Sequence, residues 1–117
     1  MRLLYMKKNP KFFLGHILEC IDNIDEYTKG MTLAEFKTDR LRFDAVVRNF
    51  EIIGEAIKNL PTELREKNQS IKWKAITGMR DFLAHHYWDV EREVVWSEID
   101  AGIPELKKEI QDIIAQL

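Results

Sequence analysis

A single cysteine, Cys20, is all the thiol chemistry the chain carries, so no internal disulfide can form. Its apolar neighbours make it a small core side chain rather than a nucleophile. Five glycines and three prolines in 117 residues leave little to interrupt regular structure, and no tract is rich enough in either to read as a linker. Purely apolar runs extend for only a few residues, and the N-terminus lacks an apolar stretch followed by a small-residue cleavage site. Neither a membrane span nor a secretory signal is read, which places the chain in the cytoplasm. A surplus of positive charge is also missing: 18 Lys and Arg stand against 20 Asp and Glu, for a net charge of −2. That balance excludes a general nucleic-acid coat, so any RNA contact has to be local, built from a few residues and completed by a second subunit.

What the chain does have is helical periodicity. Its length supports one hydrophobic core, and residues 1–117 read as one domain in which residues 1–8 form a loose lead-in with Met6 as an alternative start. Asn9 and Pro10 form an N-cap and first-turn pair, and Phe13, Ile17, Cys20, Ile24 and Tyr27 then line one seam until Gly30. Thr32 and Glu35 have capping-box spacing and open a short helix. A long amphipathic run from Asp39 to Leu60 buries Phe43, Val46, Val47, Phe50, Ile53 and Ile57 and stops at Pro61. A brief turn through Glu63 and Leu64 leads to a third run from Ile71 to His86, with Trp73, Ile76, Met79, Phe82 and Leu83 on its apolar side. Asp89 is the expected N-cap of a fourth run carrying Val94, Val95 and Ile99, which Gly102 and Pro104 break or kink before Leu106, Ile110, Ile113, Ile114 and Leu117. No stretch alternates with period two between hairpin turns. The expected fold is all-α, an antiparallel bundle of four to five helices.

The chemistry concentrates in GMRDFLAHHYWD, residues 78–89. Arg80 and His85 are five residues apart, about 140° around a helix, so they share a broad face without converging. Thr77, Gly78 and Ala84 are small residues on that face and would let a second copy of the helix approach. A symmetric dimer would then gather two Arg80 and two His85 into one cleft. Histidine moves protons near neutral pH and the arginine fork matches phosphate oxygens. The pair therefore suits metal-free cleavage of a phosphodiester, with His85 handling a proton and Arg80 stabilising charge on phosphorus. The plain alternative is a solvated helix face, with His85 and His86 favoured at a helix C-terminus by its dipole.

Arg80, four residues, His85, one residue and Tyr87 together resemble the R-x4-H-x-Y signature of HepT-type toxins, a branch of the HEPN superfamily. Their surroundings are also similar: IIGEA at Ile52–Ala56, a tryptophan at Trp73, VW at Val95 and Trp96, and PELKK from Pro104 to Lys108. The likeness spans about residues 10–115. It implies a homodimeric all-α RNase, the toxin of a prokaryotic toxin–antitoxin pair, with its site at the subunit interface and RNA as substrate. It also implies a partner, a minimal nucleotidyltransferase antitoxin that transfers AMP from ATP onto the motif tyrosine, here Tyr87. Anionic phosphate added there would block the cleft and repel RNA. Asp81 departs from the asparagine common beside the motif arginine and could pair with Arg80. The alternative function is a non-catalytic interaction module binding a nucleotidyltransferase or nucleotide, with Arg80 anchoring a phosphate.

Other candidates surround these residues. Asp44, Arg48, Glu51 and Glu55 follow 4, 3, 4 spacing and read first as a salt-bridged helix face, although Glu55 could also orient Arg80. Trp88 is best placed to stack on a base, while Trp73 and Trp96 read as core. Lys72 and Lys74 with Arg80 would supply a local basic track. His16 and His86 read as packing or helix-end residues rather than ligands, so no metal and no cofactor are expected.

Overall fold

The computed structural model describes residues 9–117, and the expected lead-in at residues 1–8 lies outside the described residues. Four helices of 13 residues or more carry the architecture: α1 (Pro10–Thr28), α3 (Arg40–Lys58), α5 (Trp73–His85) and α7 (Ile103–Gln116). Short helices join them: α2 (Leu33–Thr38), α4 (Thr62–Lys67) and α6 (Arg92–Ser97). No strand occurs among the described residues, and the fold is the all-α bundle that the periodicity predicts.

The chain starts its helices where its capping residues stand. Asn9 caps α1 by accepting from the Lys11 N–H at 2.9 Å, with Pro10 at a position whose missing N–H costs nothing. Gly30, at φ 75°, turns the chain out of α1 through a conformation that a β-carbon would strain. Thr32 and Glu35 close a reciprocal capping box: the Glu35 N–H donates to Thr32 Oγ1 at 3.2 Å, and the Thr32 N–H donates to Glu35 Oε1 at 2.9 Å. Asp39 caps α3 through the Arg42 N–H at 3.0 Å.

α1 and α3 lie antiparallel. Late residues of α1 meet early ones of α3, with Asn23 Nδ2 donating to Asn49 Oδ1 at 3.2 Å and Arg42 NH1 donating to the Tyr27 carbonyl at 2.8 Å. α7 crosses back along α1, where Lys107 Nζ lies 3.2 Å from Asp22 Oδ1. Because α1 is covered from two sides, its buried stripe is wider than a single seam. Leu14 and Ile21 join Phe13, Ile17, Cys20 and Ile24, while Tyr27 stays half-buried. Phe36 closes the upper end of the core between Phe43 and Trp96, at ring centroid separations of 5.7 and 5.1 Å. Trp73 is buried as expected, its indole N–H shared between the Arg65 and Asn68 carbonyls at 3.1 Å each.

Three local expectations are corrected. Asp89 does not cap the fourth helix: it closes a 3-10 turn, Tyr87–Asp89, and α6 starts at Arg92 after Glu91 with no side-chain cap. Of the break or kink expected at Gly102 and Pro104, the break does not occur. The chain passes from α6 through one π-helical turn, Glu98–Gly102, into α7. Pro104 has no N–H for the carbonyl of Asp100 and its ring crowds that carbonyl, so widening one turn keeps the helix going. Finally, α5 does not bury its whole apolar side. Trp73 and Leu83 are buried, Ile76 and Met79 are half-buried, and Phe82 is 45% exposed; in α6, Val94 is exposed as well.

Candidate functional site

The residues of the 78–89 segment are positioned by α3, against which α5 runs antiparallel. The register is set by three polar contacts at different heights: Lys58 with Asp81, Glu55 with Arg80, and Asp44 with Tyr87. The lower two depend on a close approach at Gly54. A β-carbon built there would collide with Cβ and Cγ of Arg80, so glycine at this position gives the arginine stem its seat. Of the expected IIGEA segment, two residues thus act on Arg80 directly: Gly54 makes room and Glu55 supplies charge.

Arg80 is held by two carboxylates. Its NH2 group lies 3.0 Å from Glu55 Oε2 and its NH1 group donates to Asp81 Oδ1 at 3.1 Å, with the side chain 26% exposed. Its Nε is buried without a hydrogen-bond partner among the described residues. A guanidinium has five N–H donors, so each terminal nitrogen keeps one for a phosphate oxygen. Asp81 also accepts from Lys58 Nζ at 2.8 Å. Lys58, then Arg80, hold its carboxyl below the usual range. Asp81 therefore serves the two cations, and among the described residues no ion pair joins it to His85.

His85 is exposed at the last position of α5, and its ring makes no hydrogen bond within the described residues. On the helix it lies about 140° from Arg80, so it points away from α3 while Arg80 points toward it. Its neighbour His86 caps the helix, with its N–H donating to the Phe82 carbonyl at 2.7 Å and its ring stacked on Phe82 at 5.2 Å.

Tyr87 folds back the other way. Its hydroxyl donates to Asp44 Oδ1, and its ring tilts against Phe43 at 6.0 Å. The Asp44 carboxylate, and then partial burial, push the phenol above its ordinary value. Two arginines are near: Arg40 Nε is 3.8 Å from Asp44 Oδ2, and the Arg92 guanidinium sits 4.3 Å from the centre of the Phe43 ring. Arg80 and Tyr87 are thus both tied to α3, at separate heights, and His85 to neither. One copy of the chain does not bring the three into contact.

The remaining candidates sort clearly. Asp44, Arg48, Glu51 and Glu55 do not bridge one another among the described residues; Asp44 and Glu55 reach outward, to Arg40, Tyr87 and Arg80. Asp44 and Glu55 are 11 residues apart, within about 20° of whole turns, which is why one face of α3 serves both. Lys72 lines a different groove, of about 860 Å³, between α5 and the α6–α7 arm, which has Phe50, Ile53 and Leu83 in its wall and touches none of Arg80, His85 and Tyr87. Trp88 is 76% exposed beside the motif, whereas Trp96 packs on Phe36. Cys20 is buried, and burial pushes its thiol up to about 11. Among the described residues no three His, Cys, Asp or Glu side chains group as a metal site requires, and no helix is long and apolar enough to cross a membrane.

An all-α bundle that presents R-x4-H-x-Y at the end of its third long helix defines a HEPN-type domain, and comparison with known proteins names the branch. Residues 17–113 match the family described as ribonuclease HepT-like. The chain belongs to that family. A Thermococcus cleftensis protein named "Probable ribonuclease HepT" is 36% identical over 92% of this chain and 98% of its own length. A Caldanaerobacter subterraneus protein named "Putative RNase" is 44% identical over 92% of this chain and 96% of its own. A Methanocaldococcus jannaschii protein named "Gamma-glutamylcyclotransferase and putative RNase" is 48% identical over 96% of this chain, which spans only 50% of that protein. No solved structure matches.

Proposed function

We propose that the chain is a metal-independent endoribonuclease that works as a homodimer and is the toxin of a toxin–antitoxin pair. The observation that carries this reading is the arrangement of Arg80 and His85. A guanidinium fixed by Glu55 and Asp81 keeps two donors free, and an exposed imidazole stands on the same helix but on a divergent bearing. Each needs a second copy to complete it. Half-buried Met79 and exposed Phe82 give α5 an apolar strip that such a copy would cover, and Gly78 has nothing within 4 Å of where a β-carbon would stand.

In the composite cleft the ribose 2′-oxygen attacks the adjacent phosphorus while His85 takes its proton or supplies one to the departing 5′-oxygen. Arg80 stabilises the added charge on the phosphoryl oxygens. The product ends are a 2′,3′-cyclic phosphate and a 5′-hydroxyl, and no external nucleophile enters. Trp88 offers a stacking surface for a neighbouring base. Tyr87 is the acceptor of AMP from a cognate nucleotidyltransferase antitoxin, whose product places anionic phosphate next to the cleft.

The test is cleavage of single-stranded RNA by the purified chain in the presence of a chelator. Wild type cuts, while Arg80→Ala and His85→Ala remain folded dimers that do not cut. RNA left intact by the wild type, together with AMP transfer by its partner complex onto another substrate, would replace this reading with that of a non-catalytic interaction module.

A further inference from the structure

Tyr87 is not a bare phenol. Its hydroxyl hydrogen already points at a carboxylate oxygen contributed by α3, and the other oxygen of that carboxylate is steadied by Arg40 at 3.8 Å. The Tyr87 side of the molecule is open enough for a reagent to arrive, since the residue is 37% exposed and Arg40 beside it is 82% exposed. Phe43 packs against the ring, and Asp44 holds the phenol oxygen. Arg92 and Arg40 supply positive charge near this oxygen, which suits an approaching polyphosphate.

We propose that Asp44 is the proton acceptor for Tyr87 when its phenol is adenylylated. The inference rests on the reading of Tyr87 as the AMP acceptor. In the step, Tyr87 Oη forms a bond to the α-phosphorus of a nucleoside triphosphate, the bond from that phosphorus to the bridging oxygen breaks, pyrophosphate leaves, and the phenolic proton passes to Asp44 Oδ1. The chain therefore brings its own base to its own modification, and the transferring partner has to supply only the bound nucleotide and stabilisation of its leaving group. The need for a base is concrete. Tyr87 is held in its protonated form above the ordinary phenol value, so the nucleophile is not preformed and the proton has to leave as the new bond is made.

The same contact has a purely structural reading, in which Asp44 pins the 3-10 turn and masks the hydroxyl. The two readings predict opposite signs. If Asp44 only masks Tyr87, the neutral amide of Asp44→Asn holds the hydroxyl less tightly and no longer raises the phenol by its charge, so modification speeds up. If Asp44 is the base, Asp44→Asn still accepts the hydroxyl hydrogen bond through its amide oxygen but cannot take the proton, and modification slows.

The experiment treats the full chain with adenosine 5′-phosphorimidazolide, an activated adenylyl donor whose leaving group is imidazole, so that no partner enzyme is required. Adducts are counted by intact mass and placed by peptide mapping, with Tyr27 as the internal reference. Wild type gains the adenylyl group at Tyr87, Asp44→Asn gains it about a hundredfold more slowly, and Asp44→Glu recovers part of the rate, while Tyr27 is unchanged throughout. Equal or faster labelling of Asp44→Asn, at an unchanged melting temperature, overturns the proposal. The underlying reading fails separately: a co-expressed nucleotidyltransferase that leaves Tyr87 unmodified removes the acceptor role, even where the imidazolide shows Asp44-dependent labelling.

Discussion

Gly54 and Arg80 occupy adjoining space so closely that a β-carbon on the first would overlap the side-chain stem of the second. The atoms at risk are Cβ and Cγ, next to the α5 backbone, and they cannot swing away as a side-chain tip could. Gly54→Ala should gain about 1 kcal/mol of helix propensity and lose about 1–3 kcal/mol to overpacking, so the clash wins. The expected outcome is a lowered melting temperature together with reduced RNA cleavage, because α5 has to shift and Arg80 moves with it. Unchanged activity would mean that the seat of Arg80 does not matter to catalysis.

Acid should loosen the junction of α3 and α5. The Asp81 carboxyl lies below its ordinary value because of Lys58 and then Arg80, so its contribution to stability is complete above the ordinary carboxylate value and is lost as pH falls through the depressed one. Asp81→Asn removes that contribution. Its melting temperature should fall less than that of the wild type between neutral pH and strong acid, measured by circular dichroism at constant ionic strength. Parallel curves would show that the ion pairs are worth nothing in solution, as exposed pairs often are.

Cys20 should be inert. A buried thiol raised to about 11 offers almost no thiolate at pH 8, so a disulfide reagent should leave the native chain unlabelled over hours and react at once in denaturant. Rapid native labelling would place Cys20 outside the core.

Two subunits should share each site. Phe82→Glu puts a charge on the exposed strip of α5 and is expected to give a monomer by light scattering, with cleavage lost. Conversely, mixing Arg80→Ala with His85→Ala chains should restore about a quarter of wild-type turnover, since half of the dimers are mixed and each of those holds one complete pair. No recovery in exchanged dimers would place both groups of a working site on one subunit.

The sequence made the helices legible because their limits are chemical. Asn9, the Thr32 and Glu35 box, Asp39 and Pro61 all stand where helices begin or end. It misled at Asp89, where a 3-10 turn stands in place of a helix cap, while at Pro104 it marked the irregularity but not its form, a π turn through which the helix continues. Periodicity placed Phe82 with the core because a helical wheel separates apolar from polar directions, not covered from uncovered ones. At the site, Arg80, His85 and Tyr87 were legible as a motif. The roles of Lys58 and Asp44 were not, since they depend on how far α3 and α5 slide along each other. Only the 11-residue interval from Asp44 to Glu55 hinted that one helix face could serve both ends of the motif.

That interval makes α3 a ruler. A substitution between its marks leaves the two carboxylates aligned, but inserting or deleting one residue would swing one of them about 100° round the helix and carry it off its partner. The stretch from Asp44 to Glu55 should therefore tolerate changes of composition and resist changes of length, even at its exposed positions.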